Sequence, residues 1–380
     1  MAGFEMLDAE TIQSGRATDA YFLRTEETLE HAGKNPRVSL EVTADQFPTG
    51  EFEVFAGVKD AAALFEGMNV DVDALREGQL FDGGPVMRIR GRYRTIARYE
   101  TALLGFLSQA AGFATRALRA RLAAPDTHLY SFGSRHVHPA IAPVVERSAL
   151  IAGFDGFSHV AAGDVLDRAA SGTMPHALLL VFGRGNQEEA WVAFNDAMDP
   201  SVPRIALCDT FSDEMDEVLR AVESLGADLE SVRIDTTGSR RGNFQHILKE
   251  LRWELDRRGR DDVDIFASGG LGAAELATLQ DVASGFGVGS YITDADPVDF
   301  ALDIVSVEGE SISKRGKLAG RKAVYRTATG EHAIRLIDHE PPADAEPLLH
   351  PLLRSGEIVR EFDLTSAARR ARADAATVGF

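Results

Sequence analysis

Four short apolar runs decide the fold: residues 204–211 (RIALCDTF), 232–244 (VRIDTTGSRRGNF), 263–272 (VDIFASGGLG) and 285–292 (GFGVGSYI). Each run passes directly into a polar or glycine-rich segment. In a barrel of parallel strands wrapped by helices, the loops at the carboxyl ends of the strands form the binding site. The pattern therefore predicts four such strand ends around one pocket, with Asp209 and Asp235 among the side chains that face it.

The segments between the runs have the spacing of amphipathic helices. Residues 243–262 place Phe244 and Leu255 on one face and charged side chains on the other. In the preceding segment, Ser212 is the predicted N-cap of a helix that ends near Gly226. Alternating strands and helices require parallel pairing with right-handed crossovers. The predicted fold class is therefore α/β.

The flanking sequence predicts a second domain. Residues 37–58 alternate apolar and polar side chains as antiparallel strands do, and residues 99–118 have the periodicity of a connecting helix. We therefore expect a parallel α/β barrel-like domain over residues 119–295. A smaller α+β domain would be built from an N-terminal segment (1–118) and a β-rich C-terminal segment (296–380) that packs with it.

Composition narrows the functional classes. The 380 residues have a formal net charge of -19, which argues against binding to nucleic acid because a phosphate backbone would be repelled. The chain has no apolar stretch of bilayer length and opens with no signal-peptide pattern, so we expect a cytoplasmic protein with no membrane partner. Because Cys208 is the single cysteine, no cysteine-rich zinc site can form and no zinc is expected.

Lysine is scarce in the predicted barrel. The chain has only six lysines, and none lies between Lys59 and Lys249. A Schiff-base lysine at a strand end is therefore disfavoured, and pyridoxal phosphate with it. The densest basic cluster consists of Lys314, Arg315, Lys317, Arg321 and Lys322, and it fits either a solvated surface or a pyrophosphate clamp.

Aromatic and polar residues that are candidates for the binding site come earlier in the chain. The run ending in Phe132 and Arg135 places an aromatic ring beside a guanidinium, which suits a flat, negatively charged ring. Ser158 follows a glycine-bounded strand. Thr173 and His176 precede an apolar run that fits either a strand or a buried helix, since periodicity does not separate the two.

Taken in order, these motifs resemble those of the nicotinate phosphoribosyltransferases of archaea and some bacteria, among the type II phosphoribosyltransferases. The resemblance runs from residues 17–25 (ATDAYFLRT) to residues 314–326 (KRGKLAGRKAVYR) and is carried by the order and spacing of the motifs. It implies that nicotinate and phosphoribosyl pyrophosphate give nicotinate mononucleotide and pyrophosphate, in the salvage of NAD. It also implies a ligase-like coupling to ATP hydrolysis through a phosphohistidine.

The resemblance assigns roles to individual residues. His176 would be the phosphorylated histidine, with Asp209 and Asp235 as further catalytic groups. Phe132 would stack on the pyridine ring, and Tyr21 from the neighbouring subunit of a homodimer or higher homo-oligomer would close the sandwich. The other implied contacts are to substrate through Arg135, Ser158, Thr173 and Arg233, to phosphate through Ser268, Gly269, Gly270, Gly289 and Ser290, and to pyrophosphate through Lys314, Arg315 and Lys317.

Cofactors and substrate choice follow from the same resemblance. ATP is the expected co-substrate. Mg²⁺ is expected to be bound by the substrate rather than by protein side chains, with Asp209 and Asp235 as the candidate protein contacts. Ser158 stands where the nicotinamide-using branch carries an aspartate, which favours the acid over the amide. One departure is residues 235–238 (DTTG), where the family often has Asp-Ser-Gly-Asp, and the phosphate contacts there are in doubt.

Two alternatives remain. The first is quinolinate phosphoribosyltransferase, a decarboxylating relative that must neutralise two adjacent carboxylates and is expected to use several arginines and lysines on its strands. The absence of lysine from residues 60–248 counts against it. The second is a non-catalytic phosphate-binding barrel, which the joint presence of the arginine, the histidine and both aspartates disfavours.

Overall fold

The computed structural model describes residues 4–44, 46–48 and 52–378. The strands are, in chain order, β1 (Arg37–Ala44), β2 (Glu53–Val54), β3 (Val70–Ala74), β4 (Leu80–Phe81), β5 (Pro85–Arg92), β6 (His128–Ser131), β7 (Gly156–Phe157), β8 (Ile205–Leu207), β9 (Ser231–Ile234), β10 (Asp264–Ala267), β11 (Gly285–Val288), β12 (Phe300–Val307), β13 (Glu310–Ser311), β14 (Lys322–Arg326), β15 (His332–Leu336), β16 (Glu346–Pro347), β17 (His350–Arg354) and β18 (Glu357–Ile358).

The helices are α1 (Ala9–Gln13), α2 (Ala20–His31), α3 (Val58–Phe65), α4 (Tyr93–Ile96), α5 (Glu100–Ala123), α6 (Ala142–Ile151), α7 (Val160–Leu166), α8 (His176–Phe182), α9 (Gln187–Ala197), α10 (Glu214–Leu225), α11 (Gly238–Arg241), α12 (Phe244–Arg257), α13 (Ala273–Leu279), α14 (Ser290–Thr293) and α15 (Leu364–Val378). Within the described ranges, no helix is both long and apolar enough to cross a membrane.

The chain forms two compact units. We call the first the terminal unit, because it contains Met1–Leu118, Ser148–Gly153 and Ala295–Phe380. The second, the central unit, contains Arg119–Arg147 and Phe154–Asp294. Each unit has its own sheet.

The central unit is built on a six-stranded sheet in the order β7-β6-β11-β10-β9-β8. Each neighbouring pair is parallel, as predicted for the four apolar runs that became β8 to β11. Leu207 pairs with Arg233, and Ala267 pairs with both Ile234 and Phe286. The carboxyl ends of these strands therefore meet along one edge of the sheet, and the loops that follow them share that edge.

Amphipathic helices cover this sheet. In α12, Phe244, Leu248, Leu251 and Leu255 are buried, as the spacing predicts. Between β7 and β8 the chain forms α7, α8 and α9, so the apolar run after Pro175 is a helix. The N-cap of α10 is Asp213, whose side chain accepts from the N–H of Met215. The prediction of Ser212 as this cap is wrong.

The terminal unit holds a seven-stranded sheet in the order β13-β12-β1-β5-β3-β17-β18. Its pairs are antiparallel, and β1 pairs with β12 in a register that places Val42 opposite Leu302. The N-terminal and C-terminal segments therefore share one sheet, with Met87 and Ile89 of β5 fully buried in its core. The predicted fold class, a parallel α/β domain with an α+β domain built from both ends of the chain, is confirmed.

Candidate active site

A cleft of about 570 Å³ opens beside the carboxyl edge of the central sheet. Both aromatic and charged side chains face it, a mixture that small-molecule sites commonly show. Its lining is Phe132, Ser134, Arg135, Pro139, Ser158, His159, Gly172, Thr173, Met174, Pro175, His176, Arg233 and Asp235. The structure thus brings together seven of the side chains that the sequence singled out.

Arg233 is the most extensively bonded of these side chains. Its Nε donates to Ser268 Oγ at 2.9 Å, one terminal nitrogen donates to Thr173 Oγ1 at 3.0 Å, and the other donates to Asp235 at 2.6 Å. The side chain is only 14% exposed, and its guanidinium carbon lies 5.2 Å from the ring centroid of Phe132. Because β9 is a central strand, its last residues hold this guanidinium rigidly against the aromatic ring.

His176 and Asp209 form a second pair. His176 begins α8, and its Nε2 lies 2.9 Å from Asp209 Oδ1, whose side chain is 1% exposed. The other oxygen of Asp209 accepts the N–H of Asp235 at 2.5 Å. The hydrogen bond to Asp209 raises the pKa of His176 above its ordinary value of 6.5, while burial acts in the opposite direction. The pair therefore favours a cationic imidazolium in the cleft.

A buried carboxylate on α10 holds the loop that carries Asp209. Glu217 is fully buried and accepts the N–H groups of Thr210 at 2.8 Å, Phe211 at 2.5 Å and Ser212 at 2.7 Å. Because Ser212 is engaged in this way, α10 begins one residue later than predicted. Sequence analysis missed Glu217, since a glutamate in the first turn of a helix usually serves only the helix dipole.

The glycine-rich loop after β10 is shaped by a second missed residue. Arg241 donates to the carbonyl of Thr236 at 2.9 Å and of Ser268 at 3.3 Å, and also to that of Gly269. Gly269 has a φ of +93°, and a Cβ there would lie 2.4 Å from Asp235 Oδ1. The loop therefore needs glycine at this position for both conformation and space. The signal for Arg241 was weak, because arginines after a glycine turn are common on surfaces.

Phe132 forms the aromatic wall of the cleft. It follows β6, and its ring centroid lies 6.2 Å from that of Phe266. A Cβ on Gly287 would lie 2.2 Å from a ring carbon of Phe132. Glycine at this position of β11 therefore allows the phenyl ring to lie flat over the strand, beside the guanidinium of Arg233.

The remaining predicted residues lie elsewhere. Ser268, Gly269 and Gly270 follow β10 and Gly289 precedes Ser290 after β11, at the same sheet edge but outside the lining of the cleft. Tyr21, at the start of α2, is 57% exposed. Lys314 and Lys317 pair with Asp303 at 3.1 Å and 3.3 Å, and Arg315 lies beside them on the exposed surface. Tyr21 and this basic cluster belong to the terminal unit, and their roles stay predictions.

The side chains of the cleft do not form a resident metal site. In the described part of the chain, no group of three or more His, Cys, Asp or Glu side chains could hold a metal ion. Both oxygens of Asp209 already accept hydrogen bonds. This donor set fits a Mg²⁺ ion that arrives on the substrate's phosphates, which supply most of its oxygen ligands.

Replacing Asp209 with asparagine is expected to lower the pKa of His176, because the largest cause of its elevation is removed. In the native protein the pair stabilises the fold below the ordinary histidine pKa, and this contribution is lost as the pH rises through the folded-state pKa. NMR titration of the His176 ring proton, assigned with a His176→Gln variant, measures the shift. His246, an exposed histidine on α12, is the internal control. An unchanged His176 titration would contradict the pairing.

The parallel sheet, with its charged cleft and glycine-rich loops at the carboxyl edge, defines the class of α/β proteins whose binding sites lie at the ends of parallel strands. Two models of one family match this chain: the N-terminal domain of quinolinate phosphoribosyl transferase over residues 19–111 and its C-terminal domain over residues 113–303. The chain belongs to the quinolinate phosphoribosyl transferase family.

Three relatives illustrate the similarity. The crystal structure of a nicotinate-nucleotide pyrophosphorylase from Pyrococcus furiosus is 45% identical, covers 100% of both chains and has a TM-score of 0.94. A nicotinate phosphoribosyltransferase of Mycobacterium tuberculosis is 30% identical over 78% of this chain and 69% of its own length. Human nicotinic acid phosphoribosyltransferase, at 21% identity, 95% and 94% coverage and a TM-score of 0.80, shares the fold.

These matches correct the expected family. The prediction of a nicotinate phosphoribosyltransferase is overturned by the two quinolinate phosphoribosyl transferase domain models and by the full-length match to the pyrophosphorylase. The expected ATP co-substrate, the phosphohistidine coupling, the ligase character and the salvage role belong to that family assignment and are overturned with it. The alternative that sequence analysis ranked second is the better supported one.

Proposed function

We propose that the chain is a quinolinate phosphoribosyltransferase. The ring nitrogen of quinolinate would attack C1 of the ribose of phosphoribosyl pyrophosphate, and the bond from C1 to the pyrophosphate oxygen would break with its electron pair leaving on pyrophosphate. The carboxylate next to the ring nitrogen would then leave as CO₂, and the electron pair left on the ring carbon would take up a proton. The products are nicotinate mononucleotide, pyrophosphate and CO₂.

The observation that carries this proposal is the set of cationic groups around one aromatic wall. Arg135, Arg233 and His176 line the same cleft as Phe132. A pyridine ring that stacks on Phe132 would place its two carboxylates among these groups, where charge-assisted hydrogen bonds hold them. The argument against this function from the lack of lysine was wrong, because arginine and histidine supply the positive charge.

The remaining charges suit the bond-breaking step. Departure of pyrophosphate leaves positive charge on the ribose, which needs preorganised electrostatic stabilisation more than a strong base. Asp235, held by Arg233 at 2.6 Å and 20% exposed, is the carboxylate in the cleft that can face this charge. Asp209 would act through its neighbours, because its two oxygens already hold His176 and the main chain of Asp235.

Phosphate binding is assigned to the glycine-rich strand ends. Gly269 and Gly270 have φ values of +93° and +66°, which let the main chain approach a ligand without side chains in the way. Together with Ser268, Gly289 and Ser290, they would hold the 5-phosphate of the ribose. Thr173, which accepts a hydrogen bond from Arg233 at 3.0 Å, would also contact the substrate.

Substrate selection and assembly complete the proposal. Ser158 lines the cleft and adds no negative charge, so it is compatible with a carboxylate substrate. Mg²⁺ would accompany the pyrophosphate. Pyrophosphate binding by Lys314, Arg315 and Lys317 stays a prediction. A homodimer or larger assembly, in which Tyr21 of a neighbouring copy covers the ring, and a cytoplasmic location remain predictions.

Turnover of three pyridines tests the proposal. Quinolinate, nicotinate and nicotinamide are each incubated with phosphoribosyl pyrophosphate and Mg²⁺, with and without ATP, and nicotinate mononucleotide, its amide and pyrophosphate are quantified. We expect turnover of quinolinate at a rate that ATP leaves unchanged. Turnover confined to nicotinate, or stimulated by ATP, would contradict the proposal, as would the absence of product from all three.

A further inference from the structure

Arg241 connects two loops at the carboxyl edge of the central sheet. Its side chain donates to the carbonyl of Thr236 in the loop after β9, and to the carbonyls of Ser268 and Gly269 in the loop after β10. These two strands are parallel neighbours, and the last pair of their ladder is Ala267 with Ile234. The guanidinium therefore joins the two loops beyond the end of the ladder.

The direction of the two carbonyl groups after β10 sets the direction of two N–H groups. All peptide bonds in the described part of the chain are trans, and in a planar trans peptide the C=O and the N–H point to opposite sides. The carbonyl of Ser268 shares its peptide plane with the N–H of Gly269, and the carbonyl of Gly269 shares its plane with the N–H of Gly270. Because both carbonyls face Arg241, both N–H groups point away from it.

These two N–H groups have no protein partner. Within residues 4–44, 46–48 and 52–378, no main-chain or side-chain atom accepts the N–H of Gly269 or Gly270. On either side of them, the N–H of Ser268 donates to the carbonyl of Ile234 and the N–H of Gly272 donates to Glu275, each at 2.9 Å. Gly270 is exposed. Two successive donors of this kind suit an anion at the tip of the loop.

The guanidinium that orients the loop is itself held in place. Its central carbon lies 4.3 Å from the ring centroid of Phe244, which begins α12 and is 7% exposed. Burial lowers the pKa of Arg241, while the charges of Asp235, Glu275 and Asp209 act in the opposite direction. Stacking on the ring and the hydrogen bonds to carbonyls together restrict the guanidinium to one orientation.

Gly269 leaves the room that this contact needs. A Cβ at this position would lie 2.9 Å from a terminal nitrogen of Arg241 and 2.4 Å from Asp235 Oδ1. A side chain here would therefore push the guanidinium away from the loop. The glycine and the arginine depend on each other.

We propose that Arg241 is a positioning residue for the 5-phosphate of phosphoribosyl pyrophosphate: it turns the N–H groups of Gly269 and Gly270 toward the phosphate without contacting the phosphate itself. This inference rests on the proposed function, which supplies the substrate. Donors that are already oriented need no rearrangement when the ligand binds, so they strengthen its binding. Arg241 is not part of the lining of the cleft around Phe132, so binding of the pyridine should not depend on it.

Amide NMR spectroscopy with ribose 5-phosphate tests this inference with no pyridine present. In the native protein we expect the ligand to move the amide proton resonances of Gly269 and Gly270 downfield, because each N–H would donate to a charged oxygen. Arg241→Gln should raise the dissociation constant read from these resonances by about tenfold or more, since the charge-assisted hydrogen bonds that hold the loop are lost.

Arg241→Lys separates positioning from a direct effect of charge. Lysine keeps the charge but has a single donor nitrogen, so it cannot hold the carbonyls of both loops as the guanidinium does. Its dissociation constant should stay close to that of the glutamine variant. The matched control is Arg240→Gln, which removes an equal charge from the exposed neighbour on α11 and should change the dissociation constant by less than about twofold.

Steady-state kinetics provide a second measurement. Arg241→Gln should raise KM for phosphoribosyl pyrophosphate by about tenfold and leave KM for quinolinate within about threefold, a difference that general loss of structure would not produce. The proposal is overturned if ribose 5-phosphate leaves the resonances of Gly269 and Gly270 unmoved, if either variant of Arg241 binds it as the native protein does, or if Arg240→Gln weakens binding equally. Since the NMR samples contain no quinolinate, their outcome is independent of whether quinolinate is turned over.

Discussion

Replacing Arg233 with glutamine is expected to lower kcat/KM for quinolinate by about 10²–10³-fold, the range seen when one preorganised charged or hydrogen-bonding group is lost from an active site. Arg233 joins Ser268, Thr173 and Asp235 in one network and lies over the ring of Phe132. Glutamine would remove the charge and most of these bonds. Steady-state kinetics with quinolinate and phosphoribosyl pyrophosphate measure the effect.

Two further variants sharpen this test. Arg233→Lys keeps the charge but has one donor nitrogen in place of three, so it cannot reach Ser268, Thr173 and Asp235 together, and its activity should stay close to that of the glutamine variant. Arg335→Gln removes a charge from an exposed position on β15 and should leave kcat/KM within about twofold, as surface changes usually do. Activity of Arg233→Gln within threefold of the native protein would exclude the proposed role of this network.

Replacing Trp191 with alanine is expected to reduce the free energy of unfolding by about 3–5 kcal/mol, the usual cost of deleting a large buried aromatic side chain. Trp191, on α9, is fully buried, and its Nε1 donates to the carbonyl of Leu207 at 3.3 Å, at the end of β8. The change would leave a cavity beneath the strand that leads to Asp209. Urea unfolding followed by far-ultraviolet circular dichroism measures the loss.

The other tryptophan of the chain provides the control. Trp253, on α12, is 72% exposed. Trp253→Ala should change the free energy of unfolding by no more than about 0.5 kcal/mol, because a solvated side chain leaves no cavity. If the two substitutions lowered the free energy of unfolding equally, the buried side chain of Trp191 would contribute no more than an exposed one, which would contradict this prediction.

Sequence patterns were sufficient for the part of the fold that positions the site. The apolar runs before Asp209, Asp235, Ser268 and Gly289 are adjacent parallel strands. They could be predicted because the end of such a strand combines two local signals, an apolar run and an abrupt change to polar or glycine residues. The helix over Phe244–Arg257 was equally clear from its periodicity. Each of these features depends on a pattern within a single short stretch of the chain.

Features that depend on contacts between distant segments were not accessible in this way. Arg241 binds carbonyls of Ser268 and Gly269 in a different strand end. His176 could be assigned to a helix only through its tertiary setting. In each case the deciding bond joins segments whose proximity follows from the fold rather than from local pattern.

The choice between two related enzymes was the principal error. The motifs around Asp235, Ser268 and Ser290 were assigned to phosphoribosyl transfer, a step that both candidate enzymes would perform, so these motifs could not separate the two enzymes. Quinolinate phosphoribosyltransferase was disfavoured because residues 60 to 248 contain no lysine. That reasoning assumed that lysine is needed to neutralise the two carboxylates of quinolinate. The cleft instead contains Arg135 and Arg233, and arginine is better suited to planar carboxylates.

The most direct test of the proposed activity is the fate of the carboxylate that quinolinate must lose. Quinolinate labelled in the carboxyl group next to the ring nitrogen is incubated with phosphoribosyl pyrophosphate, Mg²⁺ and the protein, without ATP. Release of labelled CO₂ in equal amounts to nicotinate mononucleotide and pyrophosphate is the predicted result. If no labelled CO₂ is released while nicotinate, supplied in its place, gives the mononucleotide, the proposed reaction is contradicted.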